Sequence, residues 1–410
     1  MPMNRDLERA LDAHHRGRVD EARRLYEAVL RRRPKDGDAL NFFGILEFQL
    51  GRHRRGIELL RRSLGAAPGN PHAWINLGNM LAAEQGTVEA IAAYQRAIAI
   101  DPARPEAWYN LGVCQRRLRQ LDAASVSLRR AIDERPDYGV AYEALGILLH
   151  QTGHADEAAE IYRRWLNVDP GHPIARHMAA ATSGETGPAR ADDQFVATLF
   201  DRAAASFDER LAALDYRAPQ LVAELLVLHA GYQSGRLEIL DAGCGTGLCG
   251  ALLRSSARRL VGVDLSEGML IKASDRGIYD ELVEAELTAY LDGQRHSFDV
   301  MVCADTLCNF GDLEPVTRAA GRALKPSGLM VFTVEALDDN EQGPFRLQPH
   351  GRYAHADGYV REVVEMASLT VLALDRAVLR KERGADVHGS LVAARAAAVA
   401  LAQPSVTSAD

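Results

Sequence analysis

The sequence predicts a multidomain chain, an all-α solenoid of repeated helix pairs followed by an α/β domain, on three observations. Prolines 34, 68, 102, 136 and 170 recur at intervals of 34 residues. Each closes a segment that carries two amphipathic helical patterns. Beyond residue 195 the pattern changes to short apolar runs separated by helical stretches, and the first run ends in a cluster of glycines.

Composition bounds the function. The 410 residues are 47% hydrophobic and 25% charged, a globular composition with room for two or three domains of ~100 to 200 residues. No run approaches the ~18 apolar residues of a membrane span. Asp6 and Glu8 beside Arg5 and Arg9 leave the start of the chain without a signal-peptide core. Five cysteines with no CxxC pair argue against a disulfide framework and point to a reducing cytoplasm. The net charge of −8 divides into +3 over residues 1–190 and −11 over the rest. The acidic half would repel a phosphate backbone, which excludes nucleic acid as a partner.

The repeats come first in the chain. With units at 3–36, 37–70, 71–104, 105–138 and 139–172, the fourth position reads Leu40, Trp74, Trp108 and Tyr142, and the eighth reads Gly44, Gly78, Gly112 and Gly146. The twentieth reads Ala22, Gly56, Ala90, Ala124 and Ala158. Small residues at fixed places let antiparallel helices approach closely. The large residues four positions on, Tyr26, Leu60, Tyr94, Leu128 and Tyr162, are expected to fill the seam with the next unit. Each proline stops a second helix.

This pattern resembles the tetratricopeptide repeat over about residues 3–172, with a degenerate first unit that has Asp6 for the aromatic and Ala10 for the glycine. The resemblance implies a right-handed solenoid whose concave face binds a protein or peptide partner. Asn76 and Asn110, in WINLGNM and WYNLGVC, occupy the position where related proteins bond an extended peptide backbone. An amide can both donate and accept, so it reads a main chain whatever its sequence. The plainer alternative is a pair of solvated polar residues on a helix face.

Residues 172–181 are expected to form a helix capping the repeats, so the array is read as 1–181. The polar Gly/Pro stretch 182–194 is read as a linker. The α/β domain is placed at 195–400, and 401–410 is read as a disordered tail. In that domain a helical region broken at Pro219 precedes apolar runs at 237–240, 260–263, 298–303 and 329–333. Such alternation implies a parallel sheet covered by helices on both faces. The run 369–384 and the strand after it read as a C-terminal antiparallel hairpin.

The first strand ends in LEILDAGCGTG. Glycines 243, 245 and 247 permit a tight turn with a ligand against the main chain. Gly245, Gly247 and Gly250 also satisfy GxGxxG, the mark of nicotinamide and flavin sites. Against that reading stands Asp241, an acid suited to a cofactor that carries a cationic amino acid. The second strand ends at Asp264, where a carboxylate can take two hydrogen bonds from a ribose diol.

These residues are similar to those of class I S-adenosylmethionine-dependent methyltransferases, a resemblance spanning roughly residues 195–398. It implies a Rossmann-like methyltransferase domain that binds S-adenosyl-L-methionine. Asp241, Gly243, Cys244, Gly245 and Gly247 would cradle the methionine portion. Asp264 would hold the ribose, with Leu265 among the cofactor contacts. Met269 would lie on the adenine face, and Glu286 would bond the adenine amino group, with Leu287 beside it. The family usually has aspartate where Glu286 stands. As a whole the chain resembles bacterial proteins that fuse tetratricopeptide repeats to such a domain.

The acceptor is less defined. Amino-group methyltransferases that act on bases or glutamine usually carry an NPPY-like tetrad after the fourth strand, and this chain has ADTL. Asp305 is the leading candidate for orienting or deprotonating an acceptor. Its alternative role is to cap the following helix. His350 and His355, in QPHGRYAHADGY, are candidate general bases or else surface histidines on a loop. Cys244, Cys249, Cys303 and Cys308 form two CxxxxC pairs, which packing explains better than a metal does. The expected activity is methyl transfer to a small molecule or to a protein- or carrier-borne acceptor recruited by the repeats. The competing class is a repeat scaffold whose second domain only senses the cofactor or holds shape.

Overall fold

The computed structural model describes residues 5–183, 187–230, 235–338, 341–382 and 384–398. Residues 401–410, read as a tail, lie outside them. The chain divides into two compact units, Met1–Pro170 and Gly171–Asp410.

The first unit is five helix pairs: α1 (Arg5–His15) with α2 (Val19–Arg32), α3 (Gly37–Gln49) with α4 (His53–Ala66), α5 (Pro71–Ala83) with α6 (Thr87–Ile100), α7 (Pro105–Arg117) with α8 (Leu121–Glu134), and α9 (Gly139–Gln151) with α10 (Ala155–Val168). Local signals set their starts. Asp36 accepts from the Ala39 N–H, and Asn70 accepts from His72 and Ala73 with Pro71 at the first helical position.

The repeated glycines are there for contact. A Cβ on Gly78 would sit 2.5 Å from Tyr94, and one on Gly146 would sit 2.4 Å from Tyr162. The large residues thus pack over the glycine of their own unit, where the sequence suggested the seam with the next. Tyr26, whose unit has Ala10 in place of the glycine, does reach the next unit, its ring stacking on Phe43 at 5.8 Å. Trp74 and Trp108 donate their indole N–H to the carbonyls of Pro68 and Pro102, at 2.9 and 2.8 Å. Each thereby ties its unit to the proline turn before it.

In the second unit α11 (Pro173–Thr182), α12 (Asp193–Ala203), a 3-10 turn (Ala204–Ser206), α13 (Phe207–Ala213) and α14 (Ala218–Ala230) precede the sheet. Pro219 stands in the first turn of α14, where it costs no hydrogen bond. Then follow β1 (Leu237–Ala242), α15 (Leu248–Leu253), β2 (Ala257–Asp264), α16 (Glu267–Asp275), β3 (Glu281–Glu284), α17 (Leu287–Asp292), β4 (Phe298–Cys303), α18 (Glu314–Ala323) and β5 (Leu324–Ala336). The chain ends in β6 (Phe345–Leu347), β7 (Tyr353–His355), α19 (Asp357–Met366), β8 (Leu369–Glu382) and β9 (Ala385–Ala396).

The strands lie in the order β3-β2-β1-β4-β5 and are mutually parallel. β9 runs antiparallel to β5 and β8 antiparallel to β9, which is the expected hairpin. β7 pairs with the end of β5. Met301 and Cys303 face one apolar core while Val300 and Val302 face the other. Burial on both faces is why these strands read as unbroken apolar runs.

The helix read as a cap of the repeats, α11, packs within the second unit. His177 is 4% exposed. Its ring stacks on Phe195 at 3.8 Å and its Nε2 donates to Gly351 O at 2.8 Å. Residues 187–191 are likewise bonded along the loop after β4. Gly311 and Asp312 donate to Ala189 O, and Ala191 donates to Asn309 O. Tyr353 Oη donates to Pro188 O at 2.8 Å.

Candidate functional site

Parallel strands put their carboxyl ends on one edge of the sheet, and a cleft opens there. Its lining includes the turn after β1, Asp264 and Leu265 after β2, Glu286 and Leu287 after β3, and Asp305 and Thr306 after β4. Phe200 and Phe207, from α12 and α13, also line it, as does Arg190 from the preceding segment.

The turn is built by left-handed glycines, with φ of +75° at Gly243, +53° at Gly245 and +88° at Gly247. A Cβ on Gly243 would collide with Thr306 at 2.3 Å, whereas one on Gly245 meets nothing within 4 Å. Gly243 therefore serves packing, and Gly245 presents bare backbone to open space. Asp264 braces the turn by accepting from Gly245 N at 2.8 Å and from Ser266 N at 3.0 Å.

Asp241 is 1% exposed. Its carboxylate accepts from Tyr279 Oη at 2.6 Å and has no cationic partner among the described residues. Burial pushes its carboxyl up to about 7, against the opposing pull of the Tyr279 bond. An acid left this way at the base of a glycine turn is suited to a ligand that brings its own positive charge.

The expected cofactor residues Asp241, Gly243, Cys244, Gly245, Asp264, Leu265, Glu286 and Leu287 all border the cleft. Gly247 starts α15 at its N-cap and does not line it. Met269 is also absent from the lining. It lies on the inward face of α16, 1% exposed, and packs against Ala203, Ala204, Phe200 and Phe207, so the expected adenine contact is corrected to a core contact. Glu286 spends its carboxylate on the N-terminus of α17, accepting from Thr288 and Ala289 at 3.0 and 2.7 Å.

Asp305 sits at the cleft in a left-handed conformation with φ of +59°, and its N–H donates to Thr333 Oγ1 at 2.9 Å. It caps nothing: the short 3-10 turn that follows, Leu307–Asn309, has no side-chain cap. Its Oδ2 takes Arg352 Nη1 at 3.1 Å. Arg352 and the buried Arg380 also share Glu335. Although burial favours the neutral acid, these guanidiniums hold Glu335 down at about 2.

The two candidate histidines lie elsewhere. His355 is fully buried in β7, and its Nε2 donates to the carbonyls of Phe310 and Gly311 at 2.8 and 3.1 Å. Burial lowers it to about 4. It is a neutral strut under the loop that carries Asp305, neither a base in the cleft nor a surface residue. His350 is exposed on the loop, 3.4 Å from Glu335 Oε2 and outside the cleft lining.

In the repeats, Asn76 Nδ2 donates to Asn41 Oδ1 at 3.1 Å and Asn110 Nδ2 donates to Asn79 Oδ1 at 2.9 Å. Both link first helices of successive units, so they are more than solvated surface groups.

Sequence reasoning missed Tyr216, Tyr279, Arg352 and Arg380. Tyr279 has a faint signal, an aromatic shortly before the third strand. Arg352 lies inside QPHGRYAHADGY, between the two histidines singled out there, whereas Tyr216, which lines the cleft, and Arg380 come from segments away from any motif.

Residues 240–332 match the family model of a methyltransferase domain. Residues 7–71 and 117–173 match a tetratricopeptide repeat model, and residues 78–118 match a TPR repeat model. The chain is similar to methyltransferase-like protein 27 of Homo sapiens, 33% identical over 35% of this chain and 59% of that one. It is also similar to a ubiquinone biosynthesis O-methyltransferase of Idiomarina loihiensis, 34% identical over 23% of this chain and 41% of that one. It thus spans less than two thirds of the length of these curated relatives. Among solved structures, a crystal structure of MamA shares 25% identity over 42% of this chain and 97% of that one, with a TM-score of 0.38. The chain joins an array of tetratricopeptide repeats to a domain of the methyltransferase family.

Proposed function

We propose that the protein is an S-adenosylmethionine-dependent methyltransferase whose repeats recruit a protein or carrier, the methyl group passing to that partner or to a small molecule it delivers. The observation that carries the reading is Asp241, a buried carboxylate without a counter-cation among the described residues, on the same cleft as the bare backbone of Gly245.

Asp241 would hold the cofactor's amino group, the turn at Gly243, Cys244 and Gly245 its methionine portion, and Asp264 its ribose hydroxyls. Leu265 and Leu287 would flank the base. When bound, S-adenosylmethionine supplies a methyl group on a positively charged sulfur, already activated for transfer. The chain's own work is orientation and exclusion of water. Phe200 and Phe207 line the cleft and would help exclude water, and Asp305 stands at its β4 side to orient an acceptor and take its proton. In the repeats, the linked amides of Asn76 and Asn110 support recruitment of an extended peptide.

Calorimetry with S-adenosylhomocysteine tests the reading. Micromolar binding, roughly −8 kcal/mol, is expected, with a loss of tenfold or more in Asp241→Asn. An absence of binding by the full chain would overturn it.

A further inference from the structure

We propose that Asp201 and Asp208 are positioning residues for the cofactor, latching the α12–α13 segment to the two turns that would carry it, so that Phe200 and Phe207 close over the bound molecule. The inference rests on the methyltransferase reading of the same cleft and adds to it how the cofactor is retained.

The string LFDRAAASFDERL carries the dipeptide Phe-Asp twice, seven residues apart. In each case the ring lines the cleft and the acid beside it grips a different turn. Asp201 Oδ1 accepts from Ser266 Oγ at 2.6 Å and from Gly268 N at 3.0 Å, just past Asp264. Asp208 Oδ1 accepts from Thr246 Oγ1, between Gly245 and Gly247, and its Oδ2 accepts from Arg276 Nη2 at 2.6 Å. Arg276 Nε in turn donates to Thr246 O. The fit at Gly268 is close, since a Cβ there would lie 3.2 Å from Asp201 Oδ1 and 3.3 Å from Ala204 Cβ.

The ends of the segment are fixed to the rest of the domain. Phe195 stacks on His177 before it, and after it Lys381 N donates to Leu214 O at 2.6 Å while Arg217 N donates to Leu379 O at 2.8 Å. Between these ends the apolar contact is small, a cluster of Phe200, Ala203, Ala204 and Phe207 on Met269. A segment with few buried apolar contacts opens at low cost, so the two latches decide how long it stays shut. Phe200 and Phe207 meet edge to face at 6.0 Å and are only half-buried, which leaves ring surface for a ligand in the cleft. A ligand that orders the two turns steadies the latches, and by linkage the latches steady the ligand.

The test uses the full chain and tritiated S-adenosylhomocysteine, with the dissociation rate read by a chase of unlabelled ligand. Asp201→Ala and Asp208→Ala should each raise that rate at least about tenfold, since affinity changes of this kind fall mostly on dissociation. Asp201→Asn keeps an oxygen acceptor for Ser266 and Gly268 and should bring the rate back to within about threefold of wild type. Phe207→Ala should act like Asp208→Ala, and the double variant should add less than about twofold, because the acid works through the ring. Effects that multiply in the double variant, no recovery in Asp201→Asn, or a rate unchanged by either alanine would overturn the latch. A wild-type chain that fails to bind S-adenosylhomocysteine would instead overturn the methyltransferase reading.

Discussion

Tyr279 donates its phenolic hydrogen to Asp241 Oδ2 across 2.6 Å. The ring reaches that position over Gly250, where a Cβ would lie 2.2 Å from Tyr279 Oη. Burial and the neighbouring carboxylate push the Tyr279 phenol far above its ordinary range, so the proton stays on the tyrosine. The group that titrates near neutrality is Asp241. The third glycine of the GxGxxG match thus admits a tyrosine, and the tyrosine's hydrogen bond opposes the rise that burial gives Asp241.

Cofactor affinity should therefore depend on pH. Binding an ammonium needs Asp241 ionised, so S-adenosylhomocysteine affinity should rise from pH 6 to 8 and level off above. Tyr279→Phe removes the bond that lowers the Asp241 pKa, and the midpoint should move upward. Stability of the unliganded protein should run the other way. The folded state holds a proton on Asp241 between the ordinary carboxylate range near 4 and about 7, so this contribution is lost as pH rises through that window. Asp241→Asn should flatten both profiles. Calorimetry across pH 6 to 8 and thermal melts across pH 4 to 8 check this, and pH-independent affinity would dismiss Asp241 as the ammonium ligand.

Asp264 should prove more than a ribose ligand. It already accepts from Gly245 N and Ser266 N, so Asp264→Ala should lower stability by ~1 to 3 kcal/mol and weaken S-adenosylhomocysteine by at least tenfold. Asp264→Asn keeps one acceptor and should recover part of the stability but little of the affinity. A melt unchanged in the alanine variant would mean that the turn holds its shape without this brace.

The glycines of the turn should separate by phenotype. Gly243→Ala sets a methyl group 2.3 Å from Thr306 at a φ of +75° and should unfold the β1 edge. Gly245→Ala meets open space, so its cost should stay near the ~1 to 2 kcal/mol of a left-handed alanine, yet cofactor affinity should fall at least tenfold. Melting temperature set against binding for the two variants distinguishes them. Equal binding by Gly245→Ala and wild type would show that no ligand approaches that backbone.

The architecture was legible because it is carried by period and by special backbone. Glycines 44, 78, 112 and 146 recur in phase since each must admit a large residue of the paired helix, and Gly243 and Gly245 stand where φ is positive. The acceptor side was legible only at Asp305, from its place after β4. Its guanidinium partners come from residues 352 and 380, far along the chain, and no spacing rule connects them. Met269 was misread for a local reason: it sits just past a strand end, where a helix start also needs side chains, and the core beneath α16 takes it. Glu286 borders the cleft and also caps α17. His355 in QPHGRYAHADGY gave no sign of its burial, because β7 is three residues long and pairs with the end of β5 and with β6.

The segment before the sheet should belong to the catalytic fold. A fragment of residues 171–410 keeps the His177 ring on Phe195, the Nε2 bond to Gly351, and the carbonyls of Pro188 and Ala189 that Tyr353, Gly311 and Asp312 use. A fragment starting at residue 190 loses all of them. Several hydrogen bonds at ~1 kcal/mol each and a ring stack of ~0.5 to 1.5 kcal/mol suggest a loss of roughly 3 to 6 kcal/mol. That is a large share of the ~5 to 15 kcal/mol that holds a domain folded. The longer fragment should bind S-adenosylhomocysteine like the full chain. The shorter one should melt about 10 °C lower or more and bind more weakly, because Arg190 and Ala191 line the cleft and are no longer anchored. Two fragments with the same melt and the same affinity would show that residues 171–189 are a tether only.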